Sequence, residues 1–167
     1  GRENPAFEGG DLLVLSPTIV MIGVGIRTNE AGARRVAQSL LRGEVKHVLL
    51  VELPKRRGAM HLDTVFTMVD TDLCIGYLPA LRPIRGGDGP SITHVFEGGE
   101  TQELNGDLLL VLSRLGLDLE VIPCGGGESP YEEREQWTDG ANAFALQPGK
   151  ILLYRRNAKT IGILEER

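Results

Sequence analysis

The apolar residues of this chain fall in short runs that come two at a time, each pair followed by a helical pattern and one further run. Leu12–Leu15 and Thr18–Val24 are rich in β-branched and aliphatic residues. Ser16-Pro17 between them stops one strand and starts the next, so the two predict a hairpin. Beyond it, Ala33, Val36, Ala37, Leu40 and Leu41 recur at i, i+3, i+4, i+7 and i+8, which is one face of a helix with Thr28 as N-cap and Gly43 as its end. His47–Val51 then reads as a buried strand bounded by Pro54. The unit is β-β-α-β.

The order recurs. Thr64–Val69 and Leu73–Tyr77 predict strands, Pro83–Pro90 an irregular stretch, Ile92–Phe96 a strand or sheet edge, Asn105–Leu115 a helix and Leu119–Ile122 a closing strand. A third unit begins with a short helix at Tyr131–Trp137, followed by strands at Ala141–Leu146 and Ile151–Tyr154 around Pro148-Gly149. Units of roughly 50 to 60 residues, each too small to bury its own apolar face, stack on their neighbours. The expectation is a mixed α/β (α+β) fold, one domain over 1–167 with repeats at about 8–53, 61–123 and 129–167.

Charge narrows the partners. With 18 basic and 23 acidic residues the net charge is −5, which argues against nucleic acid or an anionic membrane surface and suits a small cation. Lys55-Arg56-Arg57, the only basic cluster, reads as a solvated turn. Cys74 and Cys124 lie fifty residues apart without metal-ligand spacing, so they predict reduced thiols in a cytoplasmic protein and no zinc site. The apolar runs are far shorter than the roughly 20 residues that cross a bilayer. The chain opens on Gly1-Arg2-Glu3 rather than Met, as a trimmed, processed or excised piece would.

Four segments could carry chemistry. In Phe7-Glu8-Gly9-Gly10-Asp11, two glycines between carboxylates allow a tight turn and close approach of a ligand. In Met60-His61-Leu62-Asp63-Thr64-Val65-Phe66, His61 and Asp63 stand two apart, so in a strand they share a face. Arg27 precedes the first helix, where its guanidinium can pair with a carboxylate. Arg134-Glu135-Gln136-Trp137-Thr138-Asp139-Gly140, with Asn142 beyond, is polar and aromatic, with Trp137 expected in the core. Taken singly, these also read as an acidic turn, a capped loop, a surface arginine and a packed aromatic. His47, His94, Cys74 and Cys124 are expected to be structural.

In this order and spacing, the four segments resemble bacterial arginine deiminase nearly end to end. The resemblance implies a pentein-type β/α propeller, a ring of five ββαβ blades, of which this chain would hold about three. It also implies catalytic roles for Glu8, His61 and Asp63, and substrate-binding roles for Arg27, Asp63 and Asp11. Asp63 would grip the guanidinium and Arg27 the α-carboxylate. The implied substrate is L-arginine, with no metal and no cofactor, in a homo-oligomer when full-length. The family's nucleophilic cysteine is expected beyond Arg167 and a second binding aspartate before Gly1, so the isolated chain is expected to be inactive, with open sheet faces. Thr138 stands where asparagine is usual. Other guanidino-modifying penteins (amidinotransferase, dimethylarginine hydrolase, agmatine deiminase) and a non-catalytic arginine-binding module remain the alternatives.

Overall fold

The structure, a computed structural model, describes residues 4–83 and 89–167. Positions 84–88, and with them most of the Pro83–Pro90 stretch, lie outside the described residues, as do the first three. β1 (Leu12–Ser16) and β2 (Ile19–Val24) form the predicted antiparallel hairpin, and the Ser16 hydroxyl accepts the Thr18 and Ile19 N–H groups at its turn. α1 (Glu30–Leu40) crosses over and returns the chain to β3 (His47–Glu52), parallel to β2. Its N-cap is Asn29 rather than Thr28: Asn29 Oδ1 accepts the Gly32 N–H at 2.9 Å, while Thr28 is buried beneath the site described below.

The same cap pins the segment that carries Glu8. The Ala6 N–H donates to Asn29 Oδ1 and the Ala6 carbonyl accepts the Asn29 N–H, each at 3.1 Å. A Cβ on Gly32 would lie 2.0 Å from that carbonyl oxygen, so only glycine lets the incoming chain lie against the helix start.

β4 (Phe66–Met68) and β5 (Leu73–Gly76) make the second hairpin. A single turn, α2 (Leu78–Leu81), follows, then β6 (Ile92–Val95), β7 (Thr101–Glu103), α3 (Leu108–Arg114) and β8 (Glu120–Pro123). β8 is parallel to β5, so β4-β5-α3-β8 repeats the connectivity of β1-β2-α1-β3. β6, expected within the second unit, and β7, which the pattern did not reveal, instead extend the first sheet to the order β1-β2-β3-β6-β7. β3 would otherwise be an edge with free backbone groups, and the inserted hairpin pairs it.

α4 (Tyr131–Trp137) precedes β9 (Phe144–Gln147) and β10 (Lys150–Leu152), which turn at Pro148-Gly149 as predicted. α5 (Ala158–Glu165), which the pattern did not reveal, then takes the place a repeat helix should have. The third unit is therefore β9-β10-α5, with α4 as its connector. Buried Glu135 on α4 ties the two helices together, its carboxylate accepting the Lys159 and Thr160 N–H groups at 2.8 and 3.0 Å.

The core lies in layers. Val20, Ile22, Val48 and Leu50 pack on Ala33 and Ala37 of α1, whereas Met21, Leu49 and Val51 face Phe66 and α3 through Leu108 and Leu112. Ile75 and Ile122 meet Cys124, Ala141 and Ala143 in the third layer. Burial on both faces is why these strands read as continuous apolar runs, each fully buried large side chain contributing about 1.5–3 kcal/mol. Phe144, Leu146, Leu152 and Tyr154 remain exposed on the last hairpin. Trp137 is 61 % exposed, against the expectation of a core role, because it lies at the end of the connector helix under the Arg57 guanidinium. His47 and His94 bond to each other across the first sheet, Nδ1 to Nε2 at 3.2 Å. Among the described residues no helix is long and apolar enough to cross a membrane.

Candidate functional site

Each of the first two hairpins is entered through a short 3-10 turn, Gly9–Asp11 before β1 and Leu62–Thr64 before β4. Glu8 caps the first turn and His61 the second, both with extended backbone, and the turns pack against each other. This is what brings two residues 53 positions apart into contact: His61 Nε2 lies 2.7 Å from Glu8 Oε2. An ionised carboxylate can only accept, so Nε2 carries a proton and Nδ1 is the nitrogen left to exchange one. The Arg27 guanidinium stands 3.7 Å from the other Glu8 oxygen, and both side chains are about half exposed. The site is thus open on its solvent side.

His61 and Asp63 do not share a strand face as predicted, because β4 starts only at Phe66. The 3-10 turn directs them instead. A Cβ on Gly10 would come 2.9 Å from Asp63 Oδ2 and 3.0 Å from His61 Cγ, so glycine is required there for these side chains and not for a bound molecule. Gly9 meets nothing within 4 Å and carries no such requirement. Asp63 Oδ1 is buried without a hydrogen-bond partner. Burial pushes the Asp63 carboxyl above its ordinary value of 3.8, His61 opposes the shift, and the charges of Asp11 and Asp139 add to it.

Asp11 is wholly buried, with Oδ1 accepting the Leu62 N–H at 2.9 Å and Oδ2 left without a partner. Burial raises its pKa too, against the pull of the Thr28 hydroxyl, the Leu62 amide and His61. It lies beneath Glu8, His61 and Asp63 rather than beside them in the opening. Three residues that the sequence reading did not place here belong to the site. Thr28 accepts the Glu8 N–H on its hydroxyl at 3.1 Å. Gln136 braces the His61 turn by donating to the Gly58 carbonyl. Asp139, in the left-handed region at φ 64°, turns its charge toward Asp63. The Asp139-Gly140 pair is the turn signal that could have found it. Asp139 and Asn142 also line a cavity of about 440 Å³ with Phe144, Leu152 and Tyr154.

Cys74 and Cys124 are fully buried in two different layers, and burial pushes each thiol up to about 12.

Repeated ββαβ units meeting at a carboxylate and histidine site define a pentein-type β/α propeller of the guanidino-modifying class, of which about three units are present. The solved structure of inosamine-phosphate amidinotransferase from Streptomyces griseus shares this fold, with a TM-score of 0.56 at 19 % identity over 99 % of this chain and 40 % of that one. The sequence profile of the family described as arginine deiminase matches residues 1–167. The arginine deiminase of Bacillus cytotoxicus is 42 % identical over 169 residues, covering 96 % of this chain and 40 % of the relative. That of Mycobacterium avium is 41 % identical over 160 residues, covering 95 % and 39 %. The chain belongs to the arginine deiminase family. It spans about two fifths of the length of the curated relatives it matches.

Proposed function

We propose that this chain supplies the acid–base and cation-binding half of an enzyme that hydrolyses the guanidinium of L-arginine to L-citrulline and ammonia. The carrying observation is the partnerless Asp63 Oδ1 beside the Glu8–His61 pair. A planar guanidinium presents paired N–H donors that such a carboxylate holds, each charge-assisted bond contributing about 1.5–3 kcal/mol. Arg27, tethered only loosely to Glu8, turns to the substrate α-carboxylate.

In this reading a cysteine thiolate attacks the central guanidinium carbon. Both cysteines of this chain are sealed in the core, so the thiolate comes from another part of the whole protein. His61 protonates the departing nitrogen, ammonia leaves, and an amidine remains on sulfur. His61 then takes a proton from water, whose oxygen adds to the same carbon; the thiolate is expelled and the ureido group of citrulline is formed. Glu8 keeps the imidazole oriented and stabilises its charged form. Asp63 holds the cation, with the charge of Asp139 near it. The chain by itself binds without turning over, and the whole protein is cytoplasmic.

The test is citrulline production from arginine by the whole protein, before and after His61→Ala and Glu8→Gln. Loss of roughly a hundredfold or more in each variant is expected, the range for removing a general acid or base. Unchanged turnover in either variant overturns the assignment, and an absolute need for an amine acceptor would make the enzyme an amidinotransferase instead.

A further inference from the structure

Three loops carry the site, and a single buried carboxyl lies where they meet. Asp11 ends the turn that Glu8 opens, its own N–H donating to the Glu8 carbonyl at 3.1 Å. Its Oδ1 receives the N–H of Leu62, the residue between His61 and Asp63, at 2.9 Å. Against it lies Thr28, which follows Arg27 and accepts the Glu8 N–H. Even the strand beneath makes room: a Cβ on Gly23 would fall 2.5 Å from Asp11 Oδ1.

Such a group has no surface to offer a ligand arriving from solvent. Its chemistry is directed inward. An apolar side chain of the same size would fill the space, but it would leave the Leu62 N–H buried and unpaired, and the 62–64 turn would then relax to find another acceptor. The turn carries His61 at its cap, so its relaxation lengthens the 2.7 Å contact to Glu8.

We propose that Asp11 is a positioning residue, which fixes the His61–Asp63 turn against the Glu8 loop through the Leu62 amide. What matters is the acceptor oxygen, not a charge, since Asp11 is wholly buried and the group that Oδ1 receives is the neutral Leu62 amide. Asparagine therefore does the same work and leucine does not. This deepens the function proposed above, yet its test needs no turnover.

The measurement is solvent exchange of the His61 Nε2–H by nuclear magnetic resonance on the isotopically labelled chain, with the Leu62 amide followed in parallel. Asp11→Leu is expected to speed both exchanges by about tenfold or more, a buried hydrogen bond being lost at Leu62 and an exposed one loosened at His61. Asp11→Asn is expected to keep both within about twofold of the unmodified chain. Thr28→Val should act in the same direction, more weakly, with Thr28→Ser restoring the original rate. A folded Asp11→Leu chain that keeps its His61 protection overturns the proposal, as does an Asp11→Asn chain that loses it. Should Asp11→Leu fail to fold, Asp11→Ala, which removes the same acceptor without added bulk, decides, and unchanged His61 exchange there overturns the proposal. Citrulline absent from the whole protein, with these exchange results intact, sinks the reaction and leaves Asp11 as assigned.

Discussion

Asp63→Asn separates what this carboxylate contributes to binding from what it costs the fold. Its Oδ1 is buried and unpartnered, and burial first, then Asp11 and Asp139, push its pKa above 3.8. A carboxyl whose pKa is higher folded than unfolded holds its proton better in the native state. Its contribution to stability is complete below the unfolded value and is lost as pH rises through the folded one. Above the folded value the chain carries an ionised group whose buried oxygen has no partner. An unsatisfied buried acceptor costs about 1–3 kcal/mol, and the partial exposure of Asp63 places it at the low end. Asparagine keeps the volume and drops the charge, so the variant is expected to gain about 1 kcal/mol at neutral pH, or about 2–4 °C in Tm for a chain of this size. The gain should vanish below about pH 3.8, where both forms are neutral. In the whole protein the same change should weaken arginine binding by about a hundredfold, two charge-assisted hydrogen bonds being lost. Urea unfolding of both chains at acid and neutral pH supplies the stability arm. A variant that is less stable at neutral pH, by the same amount as in acid, refutes the argument that Asp63 is an unpaired carboxylate awaiting a cation.

Gly10→Ala should displace His61 and Asp63 by a few tenths of an ångström, at a cost of about 1–3 kcal/mol borne by the site rather than by the core. The expected result is at least tenfold lower citrulline production by the whole protein with native far-ultraviolet circular dichroism, and unaltered activity would show that the two turns are not in register. Cys74 and Cys124, each with its thiol raised to about 12, should resist iodoacetamide in the native chain at mildly alkaline pH and react fully once unfolded. Fast native labelling of either would reopen the question of which thiol attacks.

The first hairpin, α1 and β3 were legible because their signals are local: a Ser-Pro turn, an apolar face at helical spacing, a short aliphatic run. The His61 segment misled for an equally local reason. Its alternation of polar and apolar residues suits a strand, yet Leu62 is buried from a 3-10 turn and Val65 and Phe66 only where that turn passes into β4, which alternation cannot distinguish. β6 was visible as extended chain, but its home in the first sheet depends on pairing with β3, some forty residues earlier, which no window over the sequence contains. Thr28 lost its expected role to Asn29 by one residue, since both are good caps and only the position of Ala6 decides between them. The roles of Asp11 and Glu135, charged residues buried among apolar neighbours, lie in contacts across 51 and 24 to 25 residues and left no local trace.

The repeat explains why the site is where it is. Glu8 lies four residues before β1, His61 five before β4 and Asp139 five before β9, so the three occupy nearly the same place in successive units. Stacked repeats turn equivalent positions toward a common centre, and each unit can vary that one residue without disturbing its hairpin or helix. Here the three positions hold a carboxylate, an imidazole and a second carboxylate, with Asp63 and Asp11 among them. Burial first, and then neighbouring charge, raises the proton affinity of Asp11 and Asp63. Glu8 adds to it at Asp11, and Asp11 and Asp139 add to it at Asp63, while Asp139 itself is paired with Arg156. A bound cation would offset the part due to charge. A planar cation also satisfies the orphaned Asp63 oxygen, which a proton alone does without supplying a substrate. Asp63→Asn, compared with and without arginine, therefore reads the same carboxylate twice, once through stability and once through binding.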